Sequence, residues 1–243
     1  MIRSLLAVSV VVFGARQAAP EFDDLEPCDG EFSWVEPPSP YHLALRAALL
    51  GEHRYRECQV LAIPSFEREW AVYIVQDEEE PPRIVFKRMK RHLYSALMDA
   101  LSDHGRRTEY SETSEAQTDA LRGMRIDVEE FTAPLSDGSA EILEQVWSRM
   151  LGRVRYPDRF SGGFDGIQYF ASHWARGIGH RCGRTWSPHE GSRTGALVHL
   201  GEMLSQLAEA PPPSRKAMEV GLVAEARTLL ARLEVPNLEV QPR

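Results

Sequence analysis

Trp70-Ala71-Val72-Tyr73-Ile74-Val75 and Arg83-Ile84-Val85-Phe86 flank the acidic, proline-ended run Asp77-Glu78-Glu79-Glu80-Pro81-Pro82. Both flanks are rich in β-branched and aromatic residues, which suit the pleated, half-buried surface of a sheet. Two strands separated by so short a turn pair antiparallel. A further apolar stretch, Cys58 to Ile63, precedes them and is stopped by Pro64, because proline cannot donate to a strand ladder. These three segments argue for an antiparallel sheet.

The elements around the hairpin are helical or extended. Ser39-Pro40 is a helix start, with serine as N-cap and proline in the first turn, and Tyr41, Ala44, Leu45, Ala48 and Leu49 share one face up to Gly51. Arg91 to Leu101 repeats leucine every four residues. Residues 102–119 are polar without an apolar period and read as a long loop, where a division into two lobes would fall. Met124 to Phe131 alternates as a strand. From Asp137, taken as the cap, a helical stripe runs through Leu143, Val146, Trp147, Met150, Leu151 and Val154. Ile167 to Trp174 reads as a strand. After a glycine-rich stretch, two helices close the chain, one opened by Ser192 and one by Ser214. The fold class expected is α+β: an antiparallel sheet with helices packed on it, and a C-terminal helical pair.

Residues 1–19 have the three parts of a secretory signal peptide: Arg3 near the start, the apolar run Leu5–Phe13, and small residues at Ala18-Ala19 before Pro20. That run is too short to be a permanent span, which needs ~20 apolar residues. Cleavage would leave an extended acidic, proline-rich arm over 20–38 and a single α+β domain over 39–243 in the periplasm or outside the cell. It would remove Arg3 and Arg16 and no acid, leaving 26 basic residues against 36 acidic ones. Such a charge disfavours nucleic acid and anionic membrane surfaces, and favours a cationic or neutral partner. In an oxidising compartment two of the cysteines pair. Cys28 with Cys58 would staple the arm to the first strand, Cys58 with Cys182 would join the two halves, and a reduced, buried set is the third outcome.

The segment 162–195 concentrates eight of the seventeen glycines and two of the five tryptophans, a mixture suited to binding loops on a rigid scaffold. Its candidate ligand-binding residues are Asp165, Tyr169, His173, Arg184, Trp186, His189, Glu190 and Arg193. The competing reading places its aromatics in the core, makes Asp165-Gly166 an ordinary turn, and leaves Ser192 as an N-cap. His173, His180, Cys182 and His189 are the residues a zinc ion would use, but no paired metal-ligand motif is present, so no metal or cofactor is expected. No complete catalytic motif stands out, and no serine sits in a Gly-x-Ser-x-Gly elbow. The basic run Lys87–His92 is expected to face the acids of 77–80 across the hairpin. The function expected is an exported interaction protein, of the inhibitor or immunity type, for a basic or lytic partner. The alternative is an exported hydrolase using Asp165, His189 and Glu190, with or without zinc.

Overall fold

A computed structural model describes residues 23–28, 39–51, 56–76, 80–103, 114–157, 165–175 and 179–234. In chain order the elements are β1 (Glu26–Pro27), α1 (Pro40–Leu50), β2 (Arg56–Pro64), β3 (Trp70–Val75), β4 (Arg83–Met89), α2 (Leu93–Asp103) and α3 (Ser114–Gly123). They continue as β5 (Val128–Pro134), α4 (Asp137–Leu151), β6 (Ile167–Ala175), β7 (Gly179–Trp186), α5 (Arg193–Glu209) and α6 (Pro212–Glu234). The strands form one sheet in the order β1-β7-β6-β2-β3-β4-β5, and every neighbouring pair is antiparallel.

The central strands are apolar on both sides because both sides are covered. Val72, Ile74, Ile84 and Phe86 point into a core closed by α4, α5 and α6. Ala71, Tyr73, Val75 and Val85 point into a second core closed by α1, α2 and α3. The result is three layers with an antiparallel sheet in the middle. Successive side chains on a strand face opposite ways, so the alternation that would mark a one-sided sheet is filled in on its other phase.

The local signals place most elements. Ser39 caps α1, its hydroxyl accepting from the His42 N–H at 3.3 Å. Ser192 caps α5, accepting from Gly195 N–H at 2.8 Å. Other expectations are corrected. Residues 114–119, expected as loop, belong to α3, which packs on α1 and α2 and buries Ala116; the rest of that expected loop between α2 and α3 lies outside the described residues. Ser136, not Asp137, is at the N-cap of α4. Its hydroxyl and backbone N–H both donate to Glu219 of α6, so the cap is tied to a neighbouring helix. α6 begins at Pro212, and Ser214 lies inside its first turn. The glycine-rich stretch contains a full strand, β7, which runs in register with β6 from Ala175↔Gly179 to Gln168↔Trp186. In the basic run Lys87 pairs with Glu130 on β5, and Arg88 with Glu129 on β5 and Glu209 on α5; residues 77–79 of the acidic turn it was expected to face lie outside the described residues. The expected signal peptide 1–19 and most of the arm lie outside the described residues.

Candidate functional site

The hairpin β6–β7 carries most of the residues singled out in the sequence, and its pleat sends them to opposite faces. Tyr169 packs into the α4–α6 core, and His173, four residues on, faces the same way toward Glu144 of α4. Phe170 belongs to the α1–α3 core. Its register partner Arg184, and with it Cys182 and Trp186, lie on that opposite side. The eight candidates therefore do not converge on one cleft.

At one sheet edge the arm takes up the two arginines. Residues 23–28 lie along β7, with Glu26 opposite Arg184 and Pro27 opposite Gly183. Arg184 Nη2 and Nε donate to Glu26 Oε2 at 2.8 and 3.1 Å. Arg193, at the N-terminus of α5, donates from Nε to Asp23 Oδ2 at 2.8 Å and from Nη2 to Asp24 Oδ1 at 3.3 Å, and its backbone N–H donates to Asp23 Oδ1. Arg155 Nε also donates to Asp24, at 2.5 Å. Leu25 is buried over Gly183, where an added Cβ would stand 2.7 Å from that of Leu25. Beyond it Cys28 is disulfide-bonded to Cys182, with Cα atoms 5.6 Å apart. This pairing is neither of the two weighed from the sequence, and Cys58 is left as a buried free thiol. Arg184 and Arg193 thus hold the chain's own acidic arm.

The opposite end of β6 is different in kind. The His173 side chain is 1% exposed, and neither ring nitrogen has a hydrogen-bond partner. Nε2 lies 4.0 Å from Glu144 Oε1, too far for a hydrogen bond. Burial, reinforced by His180, holds the imidazole pKa down to about 4. Beside it β2 carries a bulge, where Cys58 takes a left-handed φ of 48°. Burial pushes the Cys58 thiol up, with Glu57 and Glu144 adding to it, and burial followed by Glu144 pushes Glu57 up. Glu144 is the common neighbour of Glu57, Cys58 and His173. Next to the bulge the Trp147 indole N–H donates to the Gln59 carbonyl at 3.1 Å, tying α4 to β2. The cluster has a thiol, an imidazole and carboxylates, but the ring makes no hydrogen bond that would couple it to the thiol, and the thiol is held protonated.

The remaining candidates serve turns. Trp186 packs over Gly166. Asp165-Gly166 forms a bend ahead of β6, pinned by Ser65, which exchanges hydrogen bonds with Gly166, and by the Ser187 hydroxyl on Ile167 N–H. His189 Nδ1 accepts from Gly191 N–H at 3.0 Å, and its carbonyl accepts from the Ser192 hydroxyl at 2.6 Å. Asp165, His189 and Glu190 are exposed, and among the described residues no hydrogen bond or ion pair joins any two of them. Tyr169, with its hydroxyl pushed up to about 12 by burial and then by Glu202, stacks edge-on with Trp70. The zinc quartet is not assembled: Cys182 is spent in the disulfide, on the face opposite His173. Among the described residues no three His, Cys, Asp or Glu side chains are placed to hold a metal.

Asp23, Asp24, Glu26, Glu57 and Glu144 were not among the residues singled out in the sequence. The alternation of Asp24 and Glu26 around Leu25 is a strand-like signal that the arm's prolines obscured. Glu144 carries no local signal. Comparison with family models, with curated proteins and with solved structures finds no match to this chain.

Proposed function

We propose that the protein is exported and acts in an oxidising compartment as an interaction protein for a cationic partner, in the manner of an inhibitor or immunity protein. The observation that carries this reading is the Cys28–Cys182 bridge, which fastens an acidic arm to the sheet edge; disulfides persist chiefly outside the cytoplasm. The expected signal peptide agrees with it, and among the described residues no helix is long and apolar enough to cross a membrane. The net charge of −8 favours encounter with basic surfaces. One flank of α4 adds a ridge of exposed acids at Asp137, Glu141 and Glu144, four and three residues apart and so on one side of the helix.

The test is expression of the full chain, tagged at its C-terminus, in a Gram-negative host. Expected are recovery from the periplasm or medium, an intact mass starting near residue 20 with one disulfide, and a captured basic protein. That protein should bind the purified chain with an affinity that falls as salt rises. Retention in the cytoplasm with residues 1–19 attached, or binding indifferent to salt, would overturn the reading.

A further inference from the structure

We infer that His173 is an acid-operated catch behind α4: the helix stays seated on the sheet while the imidazole is neutral and is released when His173 takes up a proton. The geometry is a buried imidazole with two unpartnered nitrogens behind a helix. Protonation would give that ring two N–H donors and a charge in a place with almost no acceptors. Among the described residues three elements surround it. β2 brings the Cys58 thiol, with Glu57 next to it in the bulge; α4 brings Glu144; β7 brings Arg181 in register opposite, with His180 the next residue, on the other face of the strand. His180 opposes the new charge, and Glu144, at 4.0 Å, attracts it.

One N–H can reach Glu144 only if that side chain or its helix turn shifts, and the second N–H stays buried without a partner. A buried donor left unpaired is costly, and more so when charged. Lifting the turn of α4 that bears Glu144 and Trp147 lets water satisfy both nitrogens and breaks the Trp147–Gln59 hydrogen bond at 3.1 Å. The low pKa of about 4 in the closed form, against the ordinary ~6.5 once solvated, makes opening about tenfold more favourable at pH 5.5 than at pH 7.5. Because α4 also carries the acidic ridge, opening would alter the surface offered to a cationic partner. That consequence rests on the function proposed above; the catch itself does not.

The test is hydrogen exchange on the full, disulfide-bonded chain between pH 7.5 and 5, corrected for intrinsic exchange rates, with the His173 ring and the Trp147 indole N–H followed by NMR. No partner is needed, so failure here is separate from failure of the proposed function. Expected is a loss of protection of about tenfold in residues 143–151 at pH 5.5, with β3 and β4 unchanged and the Trp147 signal broadening together with the His173 titration. His173→Phe should remove this pH dependence, and His173→Gln serves the same purpose if the phenylalanine variant does not fold. Opening of α4 at the same pH in either variant, or titration of His173 with no change in α4, would overturn the inference.

Discussion

Both carboxylate oxygens of Glu69 accept the backbone N–H of Leu93, at 2.9 and 3.0 Å. Glu69 lies just before β3 and is completely buried, and Leu93 opens α2. Tyr94 N–H adds a third contact at 3.2 Å, and the Tyr41 hydroxyl of α1 donates at 2.8 Å. A buried anion is tolerated here because the free N–H groups at a helix N-terminus and a phenol surround it. It also explains why α2 begins at Leu93 and not at Arg91.

Glu69→Ala should therefore be among the most damaging single changes in this layer, costing about 3 kcal/mol, since it leaves N–H groups and a phenol buried without an acceptor. Tyr41→Phe should cost only about 1 kcal/mol, because Glu69 keeps its backbone donors. Urea denaturation of both variants checks the order; equal costs would show that the phenol carries the joint.

Cys28 and Cys182 are 154 residues apart in sequence. Closing so long a loop restrains the unfolded chain strongly, and its loss should cost about 2–5 kcal/mol. Cys28→Ser, Cys182→Ser and reduction of the parent chain should lower the denaturation midpoint by similar amounts. Cys58→Ser should leave the bridge intact and lower stability by a separate, packing-based route. Diagonal gels and denaturation curves distinguish the two.

His173 has its folded pKa lowered to about 4. Between that value and the ordinary ~6.5 the unfolded chain binds more protons, so stability is full above about pH 6.5 and falls as pH drops toward 4. The loss should reach about 3 kcal/mol for this group. Glu57, whose pKa is raised, works in the opposite sense and softens the fall. His173→Phe should flatten the profile measured by denaturation across this range, and Glu57→Gln should steepen it.

Gly195 sits in the first turn of α5 directly against the His189 carbonyl oxygen and 3.0 Å, measured from an added Cβ, from the Ser192 hydroxyl. Gly195→Ala drives the new methyl group into the His189 carbonyl and should cost about 2–3 kcal/mol. Gly138→Ala, where nothing lies within 4 Å, should be neutral or stabilising. Paired thermal melts test this, and a harmless Gly195→Ala would refute the close packing of the turn on α5.

Several features were legible because their causes are local. Ser39-Pro40 and Ser192 mark helix starts within one turn of chain. The run Trp70–Val75 and its partner after the acidic turn mark a hairpin within a few residues. The antiparallel sheet, the helices on it and the C-terminal pair follow from such signals. Tertiary structure alone decided the rest. β7 is a strand because β6 offers it a ladder, although its glycines argue locally for a loop. Cys28 meets Cys182, and Arg184 and Arg193 meet the acids of the arm, because β1 is laid along β7 from the far end of the chain. His173 owes its behaviour chiefly to burial on the face covered by α4, where Glu144 stands 4.0 Å away, a placement that no spacing within 162–195 encodes. Backbone propensity and capping act over a few residues, whereas burial and charge pairing depend on which distant segments the fold brings together.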